Sequence, residues 1–325
     1  MGFYTFATSI QRMKKLQWET DFYRFDKHSV FWVFIATIIY LLIINFLTGY
    51  RPDHLGFLLF YLVGYFAHPL SRKLVLGFSI FFVYAIIFDA MKGFPNYWFS
   101  HVHIEAPYYA EKALFGINSA NGLITPNEYF LAHNSDLLDV LTGIFYLNWM
   151  PIPLLFGLYL WIKDKRLFIH FSAAFFTVNV LGWIIYYAYP AAPPWYVEMH
   201  GFTANFDTPG NVAGLIKFDE YFGITVFQDL YSKGSNVFAA MPSLHSAYPV
   251  IVFFYGIKKK VHWVVLTYFG IVVIGIWFAA VYSSHHYIID VALGASCAIL
   301  GIYIFEKILL KSKGAILLEK YISKI

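Results

Sequence analysis

Two short motifs carry three side chains able to break and remake a phosphate ester. PSLHS at 242–246 supplies His245, and HHYIID at 285–290 supplies His286 and Asp290. His286 and Asp290 are four residues apart, so on a helix they would share a face. A carboxylate beside an imidazole fixes its tautomer and stabilises its cation, leaving the other nitrogen free to attack. His245, at the mouth of another helix, is suited to protonate a departing alkoxide and later to deprotonate an incoming alcohol. Such a relay needs one imidazole neutral and one protonated, which different surroundings provide near neutral pH. Pro242 suits a first helical turn, and the N-terminus it opens would present free N–H groups to a phosphate. Three histidines and one aspartate are also a possible Zn²⁺ set. No HExxH or comparable ligand pattern accompanies them, and Asp290 sits where it would orient a nucleophile. No metal or other cofactor is therefore expected.

The elements that position these motifs are apolar. Charged residues make up 13% of the chain, against about 25% in soluble domains, and 59% of it is hydrophobic. That composition excludes an ordinary soluble domain and points to an integral membrane protein. Aromatic residues reach 22%, more than interfacial belts alone require. The net charge of +4 gives no ground for nucleic-acid binding. One cysteine, Cys297, excludes an internal disulfide and any Cys-rich metal site. Apolar segments at about 30–48, 55–70, 74–91, 140–161, 168–189, 242–257, 262–282 and 286–309 predict an all-α, polytopic helical bundle of about eight transmembrane helices. The second and sixth are 16 residues long, just under the roughly 17–25 that a bilayer core needs.

Residues 1–28 lack an early apolar core and carry Arg12, Lys14, Lys15, Arg24 and Lys27, which reads as a cytoplasmic N-terminal segment. Residues 29–325 read as one transmembrane catalytic domain. With both termini cytoplasmic, Arg72, Lys73, Lys163, Lys165, Arg166, Lys258, Lys259, Lys260, Lys307, Lys311, Lys313, Lys320 and Lys324 join those five inside. That makes 18 of the 23 Lys and Arg residues, and the positive-inside rule favours this orientation. Arg51, Lys92, Lys112, Lys217 and Lys233 remain outside. PAAPPWY (190–195 and Tyr196), PSLHS and HHYIID then converge on one outer face, flanked by two long aromatic-rich outer segments, 92–139 and 190–241. Ionisable groups gathered there are functional by default. Lone histidines near span ends, His28, His54, His170 and His262, read as interfacial.

PSLHS and HHYIID resemble the PSxH and HxxxD of the type 2 phosphatidic acid phosphatase superfamily. Taken with AYPAAPPWY, GLIKFDEYFG (214–223), FDAMKGF, EKALFGIN and TPNEYF, they look most like the fungal, aureobasidin-sensitive inositol phosphorylceramide synthases. The resemblance implies a six-helix core over about 74–310. It also implies His286 as a nucleophile forming phosphohistidine, Asp290 as its partner and His245 as general acid and base. The superfamily's usual basic motif KxxxxxxRP is absent, and Ala279 and Ala280 replace the Ser-Arg that normally precedes HxxxD. Fewer cations suit a singly charged diester donor better than a phosphate monoester. Some cation is still expected on the phosphoryl oxygens. Lys92, beside Asp89, is preferred, with Lys217, Lys233 and His285 as alternatives. Ser243, Tyr186 and Trp195 complete the expected substrate-binding set.

The reading is a membrane transferase moving phosphoinositol from a phosphatidylinositol-like donor to a ceramide-like acceptor. Its site would face away from the cytoplasm, toward a bacterial periplasm or a Golgi lumen. The rivals are a lipid phosphatase on the same fold, using water as acceptor, and a non-enzymatic transporter or scaffold.

Overall fold

The computed structural model describes residues 27–120, 122–232 and 236–325. Lys233 and the first four N-terminal cations lie outside the described residues. The described residues are mostly helical, and each of the eight apolar segments is predominantly helix. The chain divides into two compact units at Gly93/Phe94, within the first long polar segment.

The first unit comprises α1 (Lys27–Ile43, continued by a π-helical turn to Thr48), α2 (Pro52–Ala67), α3 (Pro69–Gly77) and α4 (Ser79–Ala90). Proline opens both α2 and α3, where its missing N–H costs nothing. The His68 ring caps α3 by accepting the Leu70 N–H. Within this unit the Asp89 carboxylate gathers Arg51 at 2.8 Å, His54 at 2.9 Å and Lys92 at 3.0 Å. His54 is only 6% exposed, so it is a buried partner of this carboxylate and not an interfacial residue. A charge taken out of water needs such partners.

The second unit starts with two short helices, α5 (Glu105–Phe115) and α6 (Pro126–Ala132), joined by a hairpin of β1 (Ile117–Ser119) and β2 (Gly122–Ile124). Next come α7 (Asp136–Leu147), α8 (Pro151–Lys163) and α9 (Lys165–Ala188). The second long segment folds into α10 (Pro194–His200), α11 (Ile216–Phe222) and α12 (Val226–Ser232). It is followed by α13 (Leu244–Lys259), α14 (Trp263–Tyr282), α15 (Ile288–Tyr303) and α16 (Gly314–Ile322). Here α13 packs on both α14 and α15, and α9 packs on α15.

Among the described residues five helical stretches are long and apolar enough to cross a bilayer, or six if α3 with α4, bent by 51°, count as one span. The remaining two, α2 and α13, have 16 residues each. At about 1.5 Å per residue they reach roughly 24 Å, short of a core of about 30 Å. Ile271, Ile274, Ile299 and Leu300 are exposed on these long helices, as a lipid-facing surface requires and a water-facing one disfavours. The chain is a multi-pass membrane protein.

Candidate active site

The site forms in the second unit, where α13 and α15 begin and α14 ends. α13 does not start at Pro242, because Ser243 is its N-cap. The Ser243 hydroxyl accepts the Ser246 N–H at 3.3 Å, satisfying a donor that the helix cannot. The Ser243 N–H in turn donates to the Asp290 carbonyl at 2.9 Å. The Ser246 hydroxyl donates to the Ser243 and Val291 carbonyls at 2.7 and 3.1 Å. These bonds tie the start of α13 to the first turn of α15. The two backbones approach so closely that a Cβ on Gly294 would collide with the Ser243 carbonyl oxygen and the Ser246 hydroxyl.

His286 and Asp290 do come together, but not on one helical face. α15 starts at Ile288 with Tyr287 as N-cap, so His286 precedes the helix. Asp290 stands at the third helical position, and its Oδ2 accepts the Tyr287 N–H at 2.8 Å. The same oxygen lies 3.6 Å from Nδ1 of His286, an ion-pair separation longer than a hydrogen bond. On the other side of the ring, Nε2 of His286 is 3.4 Å from Nδ1 of His245. The three residues singled out from the motifs therefore form one chain, Asp290–His286–His245. Asp290 is 1% and His286 6% exposed, while His245 is half-buried. Burial pushes the His286 imidazole down to about 4, because a charged ring loses its hydration there. A neutral His286 has one ring nitrogen with a free lone pair at neutral pH.

The turn bearing His286 is held from several sides by residues that the motifs do not contain. Asn127 on α6, 1% exposed, donates to the Val281 carbonyl at 2.8 Å and the His286 carbonyl at 3.0 Å. Glu111 on α5, fully buried, accepts the Ile288 and Ile289 N–H groups at 2.9 and 3.1 Å. A carboxylate at the start of α15 satisfies two orphan donors and complements the helix dipole. Burial raises the pKa of Glu111, and the two N–H bonds oppose that rise. The Trp195 N–H donates to the Ser284 carbonyl at 3.0 Å, and the Gly214 N–H to the Ser283 carbonyl at 3.0 Å. At Gly214 a Cβ would come within 2.9 Å of the Ser283 Cα. EKALFGIN, TPNEYF, PAAPPWY and GLIKFDEYFG thus each contribute to one scaffold around the His286 turn.

Tyr146 on α7, fully buried, is 2.8 Å through its hydroxyl from Nδ1 of His245. No short motif marks it. The only sequence signal is a hydroxyl-bearing aromatic near the middle of an apolar segment, and many such residues are simply packed. Trp149 packs on the His245 ring with centroids 4.7 Å apart.

The other expected site residues fall in different places. His285, 5% exposed, is stacked between Tyr231 at 4.7 Å and Tyr146 at 5.4 Å. Its Nε2 donates to the Val212 carbonyl at 3.0 Å. Burial, and then the neighbouring histidines, hold its pKa well below the usual histidine range. It is a neutral spacer and not the phosphate cation. Lys92 and Asp89 pair with each other in the first unit, so the charge of Lys92 is already matched. Lys217 lies in the first turn of α11, half-buried, with no ion pair among the described residues. Tyr186 and Trp195 are buried. Trp195 acts on the turn through its backbone, and Tyr186 lies within electrostatic reach of Tyr146. Among the described residues no group of His, Cys, Asp and Glu is arranged to hold a metal.

The chain is similar to known proteins over most of its length. Phosphoinositol dihydroceramide synthase of Bacteroides thetaiotaomicron is 44% identical over 290 residues, 89% of this chain and 95% of that protein. Inositol phosphorylceramide synthase of Candida albicans is 25% identical over 314 residues, 92% of this chain and 60% of that protein. An inositol phosphorylceramide synthase catalytic subunit of Schizosaccharomyces pombe is 26% identical over 247 residues, covering 74% of this chain and 56% of its own length. No solved structure matches the chain. Residues 121–304, more than half the chain and all of the His245–His286–Asp290 site, match the PAP2 superfamily, and the protein belongs to it.

Proposed function

We propose that this enzyme transfers the phosphoinositol head group of a phosphatidylinositol-like lipid to the primary hydroxyl of a ceramide or dihydroceramide. The observation that carries this reading is the Asp290–His286–His245 chain in a protein 44% identical, over nearly its whole length, to a phosphoinositol dihydroceramide synthase. His286 Nε2 attacks phosphorus, forming an N–P bond as the P–O bond to diacylglycerol breaks. His245, as imidazolium, gives its proton to the departing oxygen. The neutral His245 then takes the proton of the ceramide hydroxyl, whose oxygen attacks phosphorus and expels His286. One histidine serves as acid and then as base, and Asp290 faces the imidazole nitrogen that does not attack.

Electrostatics favours a diester donor. No Lys or Arg forms an ion pair or hydrogen bond with the three site residues among the described residues. A singly charged diester needs less compensation than a phosphate monoester. The Lys and Arg distribution supports a site on the non-cytoplasmic face.

The test uses purified protein in mixed micelles with head-group-labelled phosphatidylinositol, with and without ceramide, and His286→Ala beside wild type. Label should move into a new, ceramide-dependent lipid and should stay in the donor with the variant. Release of label as water-soluble phosphate or inositol phosphate, regardless of ceramide, would make the enzyme a hydrolase and sink the proposal.

A further inference from the structure

We propose that Tyr146 is the positioning residue of His245, holding Nδ1 so that Nε2 carries out both proton transfers. The inference rests on the phosphohistidine reading above. His286 has Asp290 beside its non-attacking nitrogen, but no carboxylate contacts His245 among the described residues. Its side-chain hydrogen-bond partners are Tyr146 at 2.8 Å and His286 at 3.4 Å, and both meet Nδ1.

The distances select Nε2 as the working nitrogen. In-line displacement puts the departing oxygen on the far side of phosphorus from the attacking nitrogen. A reactive approach of about 3 Å, a P–O bond and a hydrogen bond of about 2.8 Å together place the acid nitrogen roughly 6–7 Å from the nucleophile. Nδ1 of His245, at 3.4 Å from His286, is far too close. Nε2, on the other side of the ring from these contacts, is the nitrogen left for that role. An imidazole working through one nitrogen is most effective when the other is held.

Tyr146 is built to hold it. The Tyr146 hydroxyl meets the His245 ring at Nδ1, and a phenol oxygen can accept as well as donate. With Nε2 as the working nitrogen, Nδ1 keeps its hydrogen and the Tyr146 oxygen accepts it. That bond persists whether His245 is an imidazolium or a neutral ring, so the same contact serves the acid and the base step. The Tyr146 ring is itself fixed, fully buried and stacked on His285 at an interplanar angle of 18°.

The experiment compares wild type, Tyr146→Phe and His245→Ala with two donors. One is phosphatidylinositol. The other is the p-nitrophenyl diester of inositol phosphate, whose leaving group is acidic enough to depart without a proton. The full-length chain in micelles is used, and the first half-reaction is read as the burst of diacylglycerol or nitrophenolate. Tyr146→Phe removes one oxygen and keeps the ring, so the fold is retained. It should slow the diacylglycerol burst about 100-fold, in the range for a displaced general acid. The nitrophenolate burst should stay within about threefold of wild type, the pattern also expected for His245→Ala. Equal slowing with both donors would assign Tyr146 to packing and overturn the inference, as would a variant indistinguishable from wild type. Absence of transfer by wild type itself would instead overturn the transferase reading on which the inference rests.

Discussion

Gly294→Ala sets two physical effects of opposite sign against each other. Gly294 lies inside α15, where alanine is intrinsically better than glycine by about 1 kcal/mol. Propensity alone therefore predicts a more stable protein. The structure predicts the reverse, because the new methyl would meet the Ser243 carbonyl oxygen and the Ser246 hydroxyl, with the Ser243 carbonyl carbon 2.9 Å away. Neither neighbour can yield cheaply. The Ser243 carbonyl is backbone, and the Ser246 hydroxyl is held by two carbonyls at 2.7 and 3.1 Å. Relief comes only by parting α13 from α15, which also strains the Ser243–Asp290 backbone bond. Overpacking of this kind costs about 1–3 kcal/mol, which outweighs the propensity gain over most of its range. The functional effect is larger, because α13 carries His245 and the start of α15 carries Asp290. A misplacement of about 1 Å between reacting groups costs on the order of 100-fold in rate. Thermal unfolding in detergent and the ceramide-dependent transfer assay on the same preparation check both halves. A Gly294→Ala protein that is more stable than wild type and fully active would refute the close-approach argument.

Other consequences are equally direct. Asn127→Ala leaves the Val281 carbonyl its bond from the Ser284 N–H at 3.1 Å but removes the only hydrogen-bond partner of the His286 carbonyl among the described residues. A buried group so stranded costs about 1–3 kcal/mol, so kcat should fall with KM little changed, measured by steady-state kinetics. Asp290→Asn keeps an acceptor for the Tyr287 N–H but loses the carboxyl group facing His286. The expected outcome is a kcat lower by about 10²–10⁴ with near wild-type unfolding. A mild loss in that assay would show that the 3.6 Å contact does not serve catalysis.

Glu111 gives a pH test. Its folded pKa lies above the usual glutamate value, chiefly through burial. Between the unfolded and folded values the native state holds the proton that the unfolded chain has released. The stability contributed by this group is therefore complete below the unfolded value and is lost as pH rises through the folded one. Glu111→Gln should flatten that part of the stability–pH curve, followed by thermal unfolding from the ordinary glutamate range upward.

Much of this was legible along the chain because it is locally encoded. A bilayer imposes length and apolarity on each span, so all eight helical segments could be read directly, including the two short ones. Lysine and arginine placement gave an orientation that gathers three distant motifs at one end, and His245, His286 and Asp290 do meet there. Local detail was less legible. The four-residue spacing suggested one helical face, yet Asp290 caps Tyr287 and thereby ends α15 before His286. Lys92 stood out as a cation at a helix mouth, but whether a charge is already matched depends on Arg51, His54 and Asp89 meeting in space.

What the sequence determined by itself is a polytopic helical membrane protein in which two histidines and one aspartate, proposed above as the phosphoryl-transfer centre, stand at helix ends, because spans and motifs are contiguous stretches of chain. Tertiary structure alone decided what holds that centre: Tyr146 on His245, Asn127 and Glu111 on the His286 turn, and a His285 kept neutral between two tyrosine rings. Those contacts join residues separated by 54 to 177 positions, and no local periodicity records which buried polar group will satisfy which.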